Sequence, residues 1–273
     1  LTPFGRFIPA QGIAALVGLK IDAFPRFSTI GPNFVGEESG MDEATAAGQA
    51  AQRDGKRILR MARTGALATI DGGRPLTTLV GVASDWDGAP LFLMSELSRH
   101  TKNLNADPRA SLLLTNHGGR GDPLNHPRVT LNGVVRLREG EDGRDRYARR
   151  NPKSKLYINF ADMSLRRLEI ESVHFNGGFG RADPLTPTDL LTPGDASALR
   201  AAEPALLAEA EALGDAALAK LAGHGGSRRA WRPVGLDAEG LDLAQGGEVA
   251  RAAFEAPAYQ PQDWRAALER LLG

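Results

Sequence analysis

Between the apolar runs 91–94 and 110–114, the chain places Ser95, Ser98, Arg99, His100, Thr101 and Lys102 in one connection. Leu91 to Met94 fit a buried strand, so Ser95 falls where the chain leaves it. Ser98 suits the N-cap of a short helix over "RHTKNLNA", which ends before Asp107-Pro108. A helix start carries unpaired backbone N–H groups and the positive end of the dipole. Arg99 adds a planar fork of donors, His100 a further donor, and Ser95 and Thr101 two hydroxyls. Such a set can hold a phosphate dianion without a glycine-rich loop. Each charge-assisted hydrogen bond contributes about 1.5–3 kcal/mol, so several together retain a cofactor. The same residues also describe a capped surface helix with solvated cations, and composition alone favours that reading over the anion site.

The elements that must position this connection are mostly strands. Residues 66–70, 76–86 and 91–95 are aliphatic and β-branched, separated by turns at "DGGRP" and "DGAP". Residues 109–116 and 128–139 supply a fourth and a fifth strand, with "HGGRGDPLNHP" between them as a loop. Its Arg-Gly-Asp tripeptide is a chance occurrence in a Gly-rich loop. Segment 164–182 alternates and carries Gly177, Gly178 and Gly180, which predicts one or two strands with a bulge or a close backbone approach. A helix is expected over 42–63, and a basic helical segment over 141–160 broken at Asn151-Pro152. Short strands in series with tight turns predict a small closed β-barrel.

Three prolines, Pro184, Pro187 and Pro193, mark a linker over 183–196. Beyond it, residues 197–273 read as a small α+β module. An Ala-rich helix over 197–222 precedes a hairpin, a strand over "EVARAAFEAP" and a closing helix over "QDWRAALERLL". The expected organisation is therefore a barrel with its leading helix over 41–182, the linker, and the module. Residues 1–40 are expected to be a disordered or non-native extension.

The chain of 273 residues has 42% hydrophobic content, enough for a packed core, and 33 basic against 33 acidic residues. That balance gives no hint of a nucleic-acid partner. Residues 1–181 carry 25 basic and 19 acidic residues, and residues 182–273 carry 8 and 14, so the basic half is where an anion belongs. Cysteine is absent, which excludes thiolate nucleophiles, disulfides, iron–sulfur ligation and cysteine zinc sites. A cytoplasmic setting is compatible with that absence. No apolar run approaches the ~20 residues of a membrane span.

The order "RTGALATI … RPLTTLVGVASD … APLFLMSELSRHTKNLNADPRASLLL … HPRVTLNGVVRL … HFNGGFGRA" resembles the flavin-binding split barrels related to pyridoxamine 5′-phosphate oxidase. It is most similar to their haem-utilisation (HugZ-like) branch, and "WRPVGLDAEGLDL" resembles the small α+β domain that follows the barrel there. The resemblance implies an α+β, mainly β fold, a split β-barrel that dimerises and holds FMN in a cleft shared between subunits. By the same carry-over, Thr77, Thr78 and Leu79 would line the isoalloxazine ring. Ser95, Arg99 and His100 would bind the 5′-phosphate, and Arg128 would meet the flavin. The oxidase proper has a lysine where this chain has His100, and its substrate-binding arginine and histidine have no counterpart here.

The implied activity is that of an FMN-dependent oxidoreductase of unknown substrate, with the hydride or electron chemistry supplied by the flavin. No catalytic acid–base pair and no metal site emerge from the residues. Haem is the alternative cofactor. It needs an axial ligand, most often histidine, and the candidates are His100, His117, His126, His174 and His224, with none in the tail after His224. A third reading is a non-catalytic partner or regulatory protein docking through helix 197–222.

Overall fold

The computed structural model describes residues 37–115, 121–178, 184–225 and 230–273. The expectation for residues 1–36 lies outside these, as do His117 and part of the Gly-rich loop around it. Residues Met41–Gly273 form one compact unit.

Helix α1 (Glu37–Met61) leads into the sheet. It begins five residues before the expected start. Ala51, Gly55, Ile58, Leu59 and Ala62 recur at helical spacing and are buried. A side chain on Gly55 would press into Leu190 Cδ2 at 2.7 Å, so the helix lies close on the segment after the barrel.

Seven strands follow: β1 (Thr64–Asp71), β2 (Arg74–Gly81), β3 (Ala83–Ser84), β4 (Pro90–Ser95), β5 (Arg109–Thr115), β6 (Arg128–Leu137) and β7 (Met163–Asn176). They form one antiparallel sheet in the order β2-β1-β5-β6-β7-β4-β3. The sheet curls around Leu67, Phe92, Met94, Leu112, Leu131, Leu168 and Phe175. This is the expected split barrel. The strand expected over 76–86 is interrupted at Val82, which turns the chain from β2 into the short β3.

The glycine-rich strand region resolves into one long strand, β7, whose pairing with β6 shifts between Asn132 and Gly133. A Cβ on Gly133 would lie 1.9 Å from the Glu169 carbonyl oxygen, so the two backbones approach more closely there than any side chain permits. The residue left over by this shift is Glu171, so the expected bulge lies on β7 itself, ahead of Gly177 and Gly178, while Gly180 falls outside the described residues.

Helix α2 (Arg99–Ala106) crosses from β4 to β5. Helix α3 (Glu141–Arg150) and a 3₁₀ turn at Pro152–Leu156 replace the broken basic segment, with the break at Asn151 as expected. After the short α4 (Pro187–Leu190), the C-terminal elements are α5 (Ser197–Ala212), α6 (Asp215–Leu221), β8 (Arg232–Asp237), β9 (Gly240–Gln245), β10 (Glu248–Ala253) and α7 (Pro261–Leu272). The single helix expected over 197–222 is two helices, because Gly214 takes φ +84° and ends the first. These elements pack around a second core containing Leu206, Leu236, Leu241, Trp231 and Trp264.

Buried ion pairs join the two cores. Arg60 of α1 is fully buried; its guanidinium meets Asp237 at 3.2 Å, and it donates to the carbonyls of Asp85 and Asp87. Arg251 grips Asp237 at 2.6 Å and Asp242 at 2.8 Å. Arg146 of α3 bonds the carbonyls of Ser84 and Leu236 and pairs with Glu203 of α5. Burial works against the Asp237 charge, but Arg251 and Arg60 outweigh it and hold the carboxyl well below its usual range.

Candidate cofactor site at the barrel rim

Strand β4 ends at Ser95, and three residues later α2 starts at the rim. Ser98 occupies the N-cap with extended backbone, but its hydroxyl does not cap the helix. Instead it donates to the Ser95 carbonyl at 2.7 Å and pairs with the Thr101 hydroxyl at 2.7 Å. The first N–H groups of α2 thus carry no side-chain cap. On the underside, Leu104 and Asn103 are buried, and Asn103 donates to the Thr69 hydroxyl at 3.1 Å, which ties α2 to β1.

His100 is half-buried, and its Nδ1 lies 3.3 Å from Thr78 Oγ1 on edge strand β2. This contact unites the two parts of the predicted site, the strand and the helix. Among the described residues, Nε2 of His100 makes no hydrogen bond. Burial, then the charge of Arg166, lowers the imidazole pKa from its ordinary value, so the ring is neutral at physiological pH.

Carboxylates already engage the other two predicted phosphate ligands. Arg99 is 68% exposed and bonds Asp71 Oδ1 through Nε at 3.2 Å and Nη2 at 2.8 Å. The Ser95 hydroxyl donates to Asp162 Oδ2 at 2.5 Å and accepts from the Leu97 N–H at 3.1 Å. Next to them, Arg166 bonds Glu96 at 2.9 Å and Asn105 at 2.8 Å. The Ser164 hydroxyl and Arg166 together hold the Glu96 carboxyl at about 2.

Thr77 and Leu79 alternate outward from β2, with Leu79 77% exposed, while Thr78 turns in. Through strand pairing, Leu79 lies beside Ala66 of β1, Ala66 beside Leu113 of β5, and Leu113 beside Thr130 of β6. The outer sheet face is therefore a row of small and apolar side chains. Arg128 stands apart. It opens β6 and donates to the carbonyls of Leu124 and His126, and no described contact joins it to the other six predicted residues.

Sequence reasoning missed Asp71 and Asp162. Asp71 belongs to "DGG", which reads as a turn, and Asp162 lies 67 positions from Ser95 along the chain, so no local spacing reveals it.

A curled antiparallel half-barrel with a helix starting at its rim defines a split-barrel protein. The family model described as Pyridoxamine 5′-phosphate oxidase matches residues 53–177. The protein Atu2129 of Agrobacterium tumefaciens, of unknown function, is 34% identical over 81% of this chain and 94% of its own, with a TM-score of 0.70. The chain belongs to the pyridoxamine 5′-phosphate oxidase-like family. It is also similar to a heme binding protein from Mycobacterium smegmatis, 29% identical over 81% of this chain and 96% of that one, with a TM-score of 0.50. The chloroplastic heme oxygenase HOZ of Arabidopsis thaliana is 34% identical over 115 residues, 40% of this chain. That match spans only about a third (34%) of the Arabidopsis protein.

Proposed function

We propose that this chain is a haem-binding member of the family, which holds haem at the rim formed by β2 and α2, in a cleft completed by a second copy. The observation that carries this reading is the contact between His100 and Thr78. It engages Nδ1 and leaves Nε2 without a partner among the described residues; with Nδ1 donating to Thr78 Oγ1, Nε2 would present the lone pair with which a histidine ligates iron. Iron would supply ligand or electron chemistry when bound, while His100 would hold it and Arg99 would offer a cation to a propionate. The similarity to a heme binding protein and to a heme oxygenase supports the same choice.

The site fits a dianionic phosphate less well. His100 is not a cation at neutral pH, and carboxylates Asp71 and Asp162 already engage Arg99 and Ser95. FMN remains the second reading because the N–H groups opening α2 lack a side-chain cap and could receive a phosphate. In that reading Asp71 must give way. Its pair with Arg99 is exposed, and such pairs contribute only about 0–1 kcal/mol.

Dimerisation through the outer sheet face is part of the proposal. Leu79 and Leu113 lie in that face, and a second copy would cover them while closing the cleft. Among the described residues no helix is long and apolar enough to cross a membrane, and a cytoplasmic setting is part of this reading. Titrating the purified protein with haem, and separately with FMN, tests it. A saturable Soret shift that His100→Ala abolishes is expected, and tight FMN binding with no haem response would favour the second reading.

A further inference from the structure

Away from the barrel rim, α1, the end of α6 and β10 enclose a cleft of about 810 Å³. Small-molecule sites generally occupy roughly 300–1,000 Å³, so the cleft is of ligand size. Its apolar wall includes Met61, Leu221, Val249 and Phe254. Its charged lining is lopsided, with six basic residues (Arg53, Lys56, Arg57, Arg60, Lys220, Arg251) against Glu239 and Glu255.

The pairing within that lining is uneven. Lys56 and Arg60 share Glu239, and Arg251 is spent on Asp237 and Asp242. Arg53, Arg57 and Lys220 meet no carboxylate among the described residues. Arg57 reaches only the Met61 sulfur at 3.4 Å, and Lys220 donates to the Leu272 carbonyl at 2.6 Å. Arg53 and Arg57 stand four apart on one helix face, where like charges repel. A solvated basic face would not need an apolar wall opposite it. Cations at the mouth and aliphatic side chains behind them match a molecule with a charged head and an apolar body.

We propose that this cleft is a second ligand site, for an amphiphilic carboxylate whose head pairs with Arg53 and Arg57 and whose apolar body lies against Val249 and Phe254. It is separate from the rim and does not depend on which cofactor the rim holds. The geometry also gives it a route to the fold's ionic joint, since Arg60 and Arg251 line both.

The test is a fluorescence titration of the full chain with anilinonaphthalene sulfonate as an amphiphilic anionic probe, with dodecanoate and the uncharged dodecanol as competitors. The expected result is saturable binding displaced by dodecanoate, with dodecanol roughly tenfold less effective because it lacks the charge. The double variant Arg53→Ala/Arg57→Ala, whose side chains are exposed and leave the core intact, should weaken the probe about tenfold. Val249→Trp, which fills the cleft, should abolish it. Equal competition by dodecanoate and dodecanol would overturn the proposal. So would probe binding unchanged in the double arginine variant, or no saturable binding at all.

Discussion

His100 Nδ1 lies 3.3 Å from Thr78 Oγ1, joining a helix start to the edge strand of the barrel. The two residues are 22 positions apart, on opposite sides of the β3–β4 hairpin. Neither has a structural duty that demands the other, because α2 is already fastened from below by Asn103 on Thr69. The contact orients a half-buried imidazole at the rim, and the proposed haem site rests on it.

Burial and Arg166 depress the pKa of His100 below its ordinary value near 6.5. The unfolded chain therefore binds this proton more readily, so the ring's contribution is present above about pH 6.5 and is lost as the pH falls through the lower folded value. Haem affinity is predicted to drop over the same acidic window, measured as loss of the Soret band. A profile flat from pH 7 to pH 5, or one unchanged in His100→Gln, would contradict the ligand role.

Asp71 acts as an internal competitor for Arg99. Asp71→Asn frees the guanidinium and is predicted to raise affinity for any anionic group that Arg99 receives by about threefold to fivefold, in line with losing a weak exposed pair. Equilibrium dialysis with haem and with FMN would show which ligand gains. Arg99→Ala should lower that same affinity by roughly tenfold while thermal stability stays within a degree or two.

The buried joint between the cores is predicted to be the most sensitive point of the fold. Asp237→Asn leaves buried Arg60 only its 3.7 Å contact with Glu239 and Arg251 only Asp242, and should cost roughly 3–5 kcal/mol by chemical denaturation. Asp237 and Asp85 are both held below the usual carboxylate range, so their stabilisation is complete above about pH 4 and disappears below it. Melting temperature should fall steeply there in the native chain and less steeply in Asp237→Asn. Parallel curves would assign the acid sensitivity elsewhere.

Leu79 is the most exposed aliphatic side chain on β2 and belongs to the outer sheet face. Leu79→Asp is predicted to convert a dimer to a monomer in sedimentation equilibrium without lowering the stability of the separate chain. If the native protein sediments as a monomer, the shared cleft is wrong.

The barrel was legible because its strands are local: hairpin turns at "DGG" and "DGAP" and apolar runs of strand length determine β1 to β5. The family resemblance added what local pattern lacks, the closure of those strands and the pairing of β2 with α2 in one site. Gly214 was hidden in an Ala-rich run whose composition favours continuous helix. The carboxylates Asp71 and Asp162, and the ionic joint through Arg60 and Asp237, depend on residues far apart in sequence. Charge pattern alone does not pair an arginine at 60 with an aspartate at 237. The α1–β10 cleft was unreadable for the same reason, since its cations and its apolar wall both come from α1, the end of α6 and the region of β10, far apart in sequence.

The most direct test of the central claim is a visible absorption titration of the purified, full-length protein with haem, run beside His100→Ala and Thr78→Val. A saturable Soret band is expected in the native chain, with its loss in the alanine variant and a shifted, weaker band in the valine variant. An identical band in all three proteins would contradict a haem site built on His100.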